Sequence, residues 1–209
     1  MADWVTISAL ATAGGTLVLA VATFSSVRSA NRAARAAERS LLAGLRPVLM
    51  PSRLQDLPQK VSFFDLHWVT IEGGHAAFEV TPEAIYLVIG LRNAGSGIAV
   101  LHGWYFYPER LSSGDHANTD DFRRLTRDIY VPAGDIGFWQ GAFRDPNEPI
   151  FAVARDAATS GRPVTIDLLY GDHEGGQRMI SRFSLSQTPS GSWLAVVGRH
   201  WNLDRPNPR

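Results

Sequence analysis

The stretch Trp4-Val-Thr-Ile-Ser-Ala-Leu-Ala-Thr-Ala-Gly-Gly-Thr-Leu-Val-Leu-Ala-Val-Ala-Thr-Phe-Ser-Ser26 carries no charged residue over 23 positions. A helix rises about 1.5 Å per residue and a bilayer core is about 30 Å thick, so about 20 residues are enough to cross it. Thr6, Ser8, Thr12, Gly14, Gly15 and Thr16 dilute the apolar character. Hydroxyls can bond the helix's own backbone, however, and small residues let a second helix approach; Ala11 and Gly15 form a small-xxx-small pair. A cleaved signal peptide wants a basic start, whereas Met1-Ala2-Asp3 supplies only the α-amino group and an acid, although Ala20-Val21-Ala22 has the form of a cleavage site. A helix buried in a soluble core would show a polar stripe over such a length, and this one shows only hydroxyls and glycine. Residues 1–26 therefore read as a single transmembrane anchor, with Trp4 in contact with lipid.

The flanks orient it. Basic residues close to a span stay on the cytoplasmic side. None precedes the apolar run, whereas five arginines, Arg28, Arg32, Arg35, Arg39 and Arg46, stand against Glu38 alone between Val27 and Arg46, a net +4. The amino terminus is expected outside the cell membrane and everything after residue 26 in the cytoplasm. Residues 27–46 continue the helix as an Ala/Arg juxtamembrane segment ending near Gly44 and Pro47. Arg28, Arg32, Arg35 and Arg39 can meet anionic headgroups at about 1 kcal/mol each close to the surface. The face formed by Ala30, Ala34, Ala37, Leu41 and Leu45 can instead pair with a second copy, which makes a homo-oligomer through the N-terminal helices, or a protein partner there, an expectation beside the membrane itself.

Past Pro47 the periodicity changes to short apolar runs broken by Gly, Pro, Asn and Asp, the signature of strands and turns. Candidate strands are Val48–Leu54, Val61–Ile71, Ala84–Arg92, Gly97–Tyr107, Asp128–Val131, Gly137–Phe143, Pro163–Tyr170, Gln177–Leu185 and Ser192–Arg199. Seven or more strands imply a sandwich or barrel. Asn93-Ala-Gly95-Ser-Gly97 reads as a chain reversal between core strands, and Asp172-His-Glu-Gly-Gly176 as a hairpin loop. Asp145-Pro-Asn-Glu148 has the form of a helix start, leading through Ile150, Val153, Ala154 and Ala157 to Gly161. Glu109–Arg127 is polar and reads as the longest surface loop, with at most one helical turn near Asp120 to Leu125. The domains are thus 1–26, 27–46, a β-sandwich over 47–203 and a flexible tail over 204–209.

The chemistry this sequence excludes is broader than the chemistry it suggests. Cysteine is absent, which removes disulfides, thiolate metal sites and cysteine nucleophiles together. After the juxtamembrane helix, fifteen basic residues stand against eighteen acidic ones, so the domain has no electrostatic footprint for nucleic acid. There is no phosphate-binding glycine loop, His-Glu-x-x-His or Rossmann fingerprint, and no strained Gly-x-Ser-x-Gly elbow. No cofactor, metal site or catalytic residue is expected. The nearest thing to a ligand site is the loop Asp172, His173 and Glu174, where two acids and an imidazole on a Gly-rich turn could bind a metal or act as acid and base. That chemistry requires partners from a second loop, such as Asp115 and His116. The aromatics at Trp104–Tyr107, Phe138-Trp139 and Trp193 read as core, and Trp201 with His200 as the exception.

An N-terminal span, an Ala/Arg helix and a β-domain containing Leu91-Arg-Asn-Ala-Gly-Ser-Gly-Ile-Ala99 together resemble uncharacterised bacterial single-pass membrane-anchored proteins with a C-terminal immunoglobulin-like β-sandwich. The resemblance implies a mainly β fold and a membrane location, and no activity. The expected function is a membrane-tethered, non-catalytic binding or assembly module. The alternative is a metal-dependent or acid/base hydrolase built on the Asp172 loop.

Overall fold

The computed structural model describes residues 3–112 and 114–206. The end of the expected tail, residues 207–209, lies outside the described residues, as do Met1 and Ala2. The chain forms two compact units, Met1–Ala43 and Gly44–Arg209.

The first unit is a single helix, α1 (Trp4–Gly44), about 60 Å long at 1.5 Å per residue. It is long and apolar enough to cross a membrane, and none of its most apolar stretch is buried by the rest of the chain. Three of its hydroxyls bond the helix's own backbone: Thr12 and Thr16 donate to the carbonyls of Ser8 and Thr12 at 2.9 and 2.8 Å, and Ser25 to that of Ala22 at 2.8 Å. Such back-bonding removes most of the penalty for placing a hydroxyl in hydrocarbon. The helix stops at Gly44 because Arg46 precedes Pro47 and is driven out of the α region. Leu45, expected on the helical apolar face, therefore lies beyond the helix end.

The second unit is mainly β, as expected, and antiparallel throughout. Its strands are β1 (Leu49–Pro51), β2 (Gln59–Ser62), β3 (Trp68–Ile71), β4 (His75–Val80), β5 (Ile85–Asn93), β6 (Ala99–Tyr107), β7 (Arg123–Val131), β8 (Ile136–Phe143), β9 (Val164–Asp172), β10 (Arg178–Gln187) and β11 (Trp193–Asn202), with α2 (Pro149–Ser160) between β8 and β9. One large sheet curls into two facing layers. In the first, β5 lies between β8 on one side and β4 and β1 on the other. In the second the order is β11, β10, β9, β6, β7. The layers are joined by only two residue pairs, Ala76 with Trp193 and His75 with Leu194. Trp104 and Phe106 of β6 meet Trp139 and Phe143 of β8 edge-on across the core at 5.2–5.3 Å between ring centres. Each large side chain so buried contributes about 1.5–3 kcal/mol.

Several expectations need correcting. Val61–Ile71 is a hairpin, β2 and β3, and β4 was not anticipated. The helix begins at Pro149, its N-cap Glu148 lying three residues after the expected cap Asp145. Asp145 instead closes an Asx turn on Asn147 N–H at 2.9 Å, and Glu148 turns away to Arg123 at 2.6 Å. At its other end Gly161, in the left-handed region at φ 67°, closes the helix as expected.

The two central strands are covered on both faces. Ile85, Leu87, Ile89 and Leu91 of β5 point into the main core, while Tyr86 and Val88 are buried under the β2–β3 hairpin with Val61, Phe63, Val69 and Ile71. On β9, Val164, Ile166, Leu168 and Tyr170 enter the core. Asp167 points the other way and is nevertheless fully buried. Arg182 of β10 meets it with two parallel bonds of 2.7 Å, and donates also to the Asp115 carbonyl at 3.1 Å. Tyr107 donates to Asp167 at 3.3 Å; burial, then the charge of Asp167, push its hydroxyl up to about 12. Trp201 lies beneath the Arg182 and Arg199 guanidinium groups at 4.8 and 5.0 Å from its ring centre. The segment read as a loose surface loop is thus a strap, tied down through Asp115, through Leu111 N–H on Thr165 Oγ1 at 2.9 Å and through buried Phe122. A 3-10 turn at Thr119–Asp121 leads directly into β7, which begins earlier than expected.

Removing one member of a buried ion pair leaves an uncompensated charge, whereas removing both can be close to neutral. Arg182→Met is expected to lower the unfolding free energy of the full-length protein in detergent by ~3–5 kcal/mol, read by urea denaturation and Trp fluorescence. The double variant Asp167→Leu/Arg182→Met should regain most of that loss. A double variant as unstable as the single one would show that the pair does not control this face.

Candidate functional site

On α1 the expected lipid contacts occupy one stripe. At 100° per residue Arg28, Arg32, Arg35 and Arg39 fall within about 60° of arc and span about 16 Å along the axis. All four are exposed, as is Trp4. No ion pair with an acid is formed by any of these arginines among the described residues, which leaves their charge available.

The loop Asp172, His173 and Glu174 closes the β9–β10 hairpin, as its glycines imply. Asp172 is buried, and its carboxylate accepts from Gly176 N–H at 3.0 Å and from the Gln177 amide at 3.3 Å. Gly175 sits at φ 75°, where only glycine is unstrained. His173 and Glu174 lie side by side at 3.3 Å on the surface. Asp115 and His116, the required partners, belong to the Arg182 network. Asp167 is five residues down β9 from Asp172, about 17 Å at ~3.4 Å per residue. His116 packs edge-on against Trp201 at 5.5 Å. Among the described residues no group of three or more His, Asp or Glu gathers where a metal could be held. Asp172 is thus held by the turn itself, and two exposed groups remain.

The Asn93–Gly97 turn does more than reverse the chain. Asn93 Oδ1 accepts from Val48 N–H at 3.0 Å, Ala94 N–H donates to the Val48 carbonyl at 2.8 Å, and Ser96 N–H to that of Arg46 at 3.1 Å. The backbone of Leu45 and Arg46 lies against Gly97 and Gly95, where a Cβ would collide with their carbonyl oxygens. The segment that leads in from α1 is therefore clasped by this turn. Behind it runs a line of hydrogen bonds: Leu49 N–H to Tyr170 Oη at 3.3 Å, Tyr170 to Ser181 at 2.8 Å, and Ser181 to His200 Nδ1 at 2.6 Å. Burial, and then the neighbouring Arg46 charge, hold the His200 imidazole below its ordinary pKa. Trp201, expected as an exposed aromatic, is buried beside it.

At the opposite end of β5 a surface emerges that sequence reading missed. Phe64, 97% exposed, and Leu66, 81% exposed, project from the β2–β3 tip, and Leu66 is held at φ 62°. The tip is braced from below. Asp65 accepts from Tyr86 Oη at 2.8 Å and from Arg144 at 3.3 Å, and His67 stacks on Tyr86 at 4.0 Å. Burial opposes ionisation of Asp65, but the Tyr86, His67 and Arg144 donors hold its carboxyl below the ordinary range. Beside the tip, β7 and β8 part to leave a cavity of about 200 Å³ walled by Phe63 and Trp104 and lined by Arg123, Arg124 and Arg144.

The chain matches no known protein family, and no curated protein is found to be similar to it.

Two expectations follow from this geometry. The depressed folded pKa of His200 means that the unfolded chain binds a proton first as pH falls below ~6.5. The thermal midpoint should therefore drop between pH 7.5 and pH 5.5, and His200→Gln should flatten that dependence; an unchanged slope would remove His200 as its source. Asp172→Ala should destabilise the domain by ~1–3 kcal/mol, by freeing buried donors, while His173→Ala leaves stability unchanged within ~0.5 kcal/mol. Both are measured by urea unfolding.

Proposed function

We propose that this protein is a membrane-tethered, non-catalytic binding or assembly module, its amino terminus outside and its β-domain in the cytoplasm. The observation that carries the reading is α1: an apolar helix with none of its most apolar stretch covered, followed within the same helix by a narrow stripe of unpaired arginines. Apolar side chains on that scale left in water would be strongly unfavourable, and a bilayer removes them from it. The arginines then lie where basic residues accumulate on the cytoplasmic side. Association with a second copy through Ala11 and Gly15, or through Ala30, Ala34, Ala37 and Leu41, fits the same helix. A binding role is supported by a domain in which Asp167 and Asp172 are tied into a pair and a turn, and which presents exposed Phe64 and Leu66 beside an arginine-lined cavity. The resemblance to bacterial single-pass proteins with an immunoglobulin-like sandwich points the same way.

The full-length protein should stay with the membrane pellet through alkaline carbonate extraction; release into the supernatant would refute the anchor. The absence of cysteine gives a clean background for labelling. An impermeant maleimide should modify Ala2→Cys in intact cells and Ser190→Cys only after permeabilisation. The reverse pattern would overturn the orientation, and a chain shortened at Ala22 would mean signal cleavage instead.

A further inference from the structure

The end of the domain remote from the clasp combines three features that are each uncommon on a free surface. β5 runs from Asn93 at the clasp to Ile85 at this end, about 27 Å at ~3.4 Å per residue. The first feature is the rigid tip. An exposed leucine at positive φ is strained where glycine or asparagine would not be, and Phe64 and Leu66 bury nothing of the fold itself. The side chains on either side, Asp65 and His67, are both fastened to Tyr86, so the two apolar groups are presented without freedom of the loop.

The second is the charge of the adjoining cavity. Arg123, Arg124 and Arg144 line it, and no carboxylate does. Arg123 and Arg144 are drawn towards Glu148 and Asp65, while exposed Arg124 forms no ion pair among the described residues. Arg144 lines both this cavity and the hollow beneath Leu66, where Asp65 and Glu83 also stand, so the arginine-lined cavity adjoins the apolar tip.

The third is the backbone. β7 pairs only with β6, and β8 only with β5, so two strand edges flank the cavity with unused donors and acceptors. On its paired side β7 carries a bulge: Arg124 opposes Gly103 and Ile129 opposes Leu101, which leaves residues 125–128 facing His102 alone. A bulge bends its strand. β7 and β8 are not paired with each other, and Arg127 reaches from one to the other, donating to Gln140 Oε1 at 2.7 Å.

We infer that this surface docks an extended acidic segment of a partner protein, which adds a strand along the open β7–β8 edges, seats a carboxylate among Arg123, Arg124 and Arg144, and packs apolar residues on Phe64 and Leu66. This rests on the reading of the domain as a binding module and names the class of its partner. Strand addition supplies affinity through main-chain bonds and specificity through alternate side chains, and buried aromatic and arginine groups are the usual interface anchors. A second copy of this chain fits less well, because β7 bears three arginines against Asp128 and β8 bears no charge, so two β7 edges meet with net repulsion and neither edge offers an excess of carboxylates to the cavity. A free anion would use the cavity and leave the tip and the edges without a role.

The test pans the full-length protein in phosphatidylcholine nanodiscs against a random octapeptide library. Recovered sequences should be enriched in Asp or Glu at alternating positions. A synthetic peptide from that pool should bind at least tenfold more weakly to Arg124→Glu and to Phe64→Ser, both variants keeping the parental thermal midpoint. The same peptide N-methylated at alternate residues should also lose at least tenfold. A pool without acidic enrichment overturns the proposal, as does binding indifferent to both substitutions or to N-methylation. Complete displacement by millimolar inorganic phosphate, or self-association through this edge, would assign the surface to an anion or to a second copy and overturn it equally. Carbonate extraction and maleimide labelling judge the anchor on separate readouts, so the two readings fail independently.

Discussion

An antiparallel sheet ordinarily keeps one face dry and leaves the other to water. Here the two central strands, β5 and β9, are dry on both, and most of the architecture follows from the need to cover their second faces. For β5 the cover is apolar, a hairpin laid over Tyr86 and Val88. For β9 the outward residue is Asp167, and an apolar cover alone would be ruinous: an ionised carboxylate in a low-dielectric site must be paired and hydrogen-bonded. Arg182, one strand away, supplies the charge in fork geometry. The strap supplies the Asp115 carbonyl that uses one of the remaining guanidinium protons, and Tyr107 and Trp201 exclude water around the pair. The polar composition of the strap is thus a consequence of what it has to satisfy.

The same central position shapes how the domain meets its tether. The chain arriving from α1 forms β1 beside the carboxyl end of β5, the best-anchored strand of the first layer, and the Asn93–Gly97 clasp holds its backbone. Because the clasp works through main-chain groups and one asparagine, it depends little on which side chains the incoming segment bears. It depends strongly on Gly95 and Gly97, whose missing Cβ atoms make room for the carbonyls of Arg46 and Leu45. The incoming strand β1 is thus bonded to β5 by pairing and, through the Tyr170–Ser181–His200 line, to β9, β10 and β11.

What was legible in the sequence was what periodicity encodes. The continuous apolar run of β5 and the alternation in β9 mark core strands, and the uncharged run of α1 marks a helix long and apolar enough to cross a membrane. Strand β4 escaped because His75-Ala-Ala follows two glycines and carries little β-forming signal; it is held in place by its neighbours. The hairpin in Val61–Ile71 was merged into one strand because its tip, Phe63-Phe64-Asp-Leu66, contains no glycine or proline and places a leucine in the left-handed region that such residues usually occupy. Glu109–Arg127 was read as loose because polar composition does not distinguish solvated side chains from those recruited to a buried ion pair. Asp172, His173 and Glu174 looked like a site because they are adjacent in sequence. Arg123, Arg124 and Arg144 did not, since only the curl of the sheet and the bulge in β7 bring them together.

Leaving β7 and β8 unpaired is hazardous for a sheet protein, because open edges invite pairing with other copies. Closure into a barrel would remove the hazard, and β7 and β8 do not pair to make one. The arginines of β7 provide protection of another kind: Arg123, Arg124 and Arg127 outnumber Asp128, so a second β7 edge meets a net repulsion. Charge that blocks self-pairing also selects among other strands, since an acidic one meets attraction where a copy of this chain meets repulsion, and the discrimination comes from the repulsive element as much as the attractive one. On the proposed reading of α1 as a membrane anchor this demand rises, because confinement to a membrane increases the effective concentration of identical neighbours. The more crowded the identical edges, the more an open edge has to be guarded by charge of a single sign.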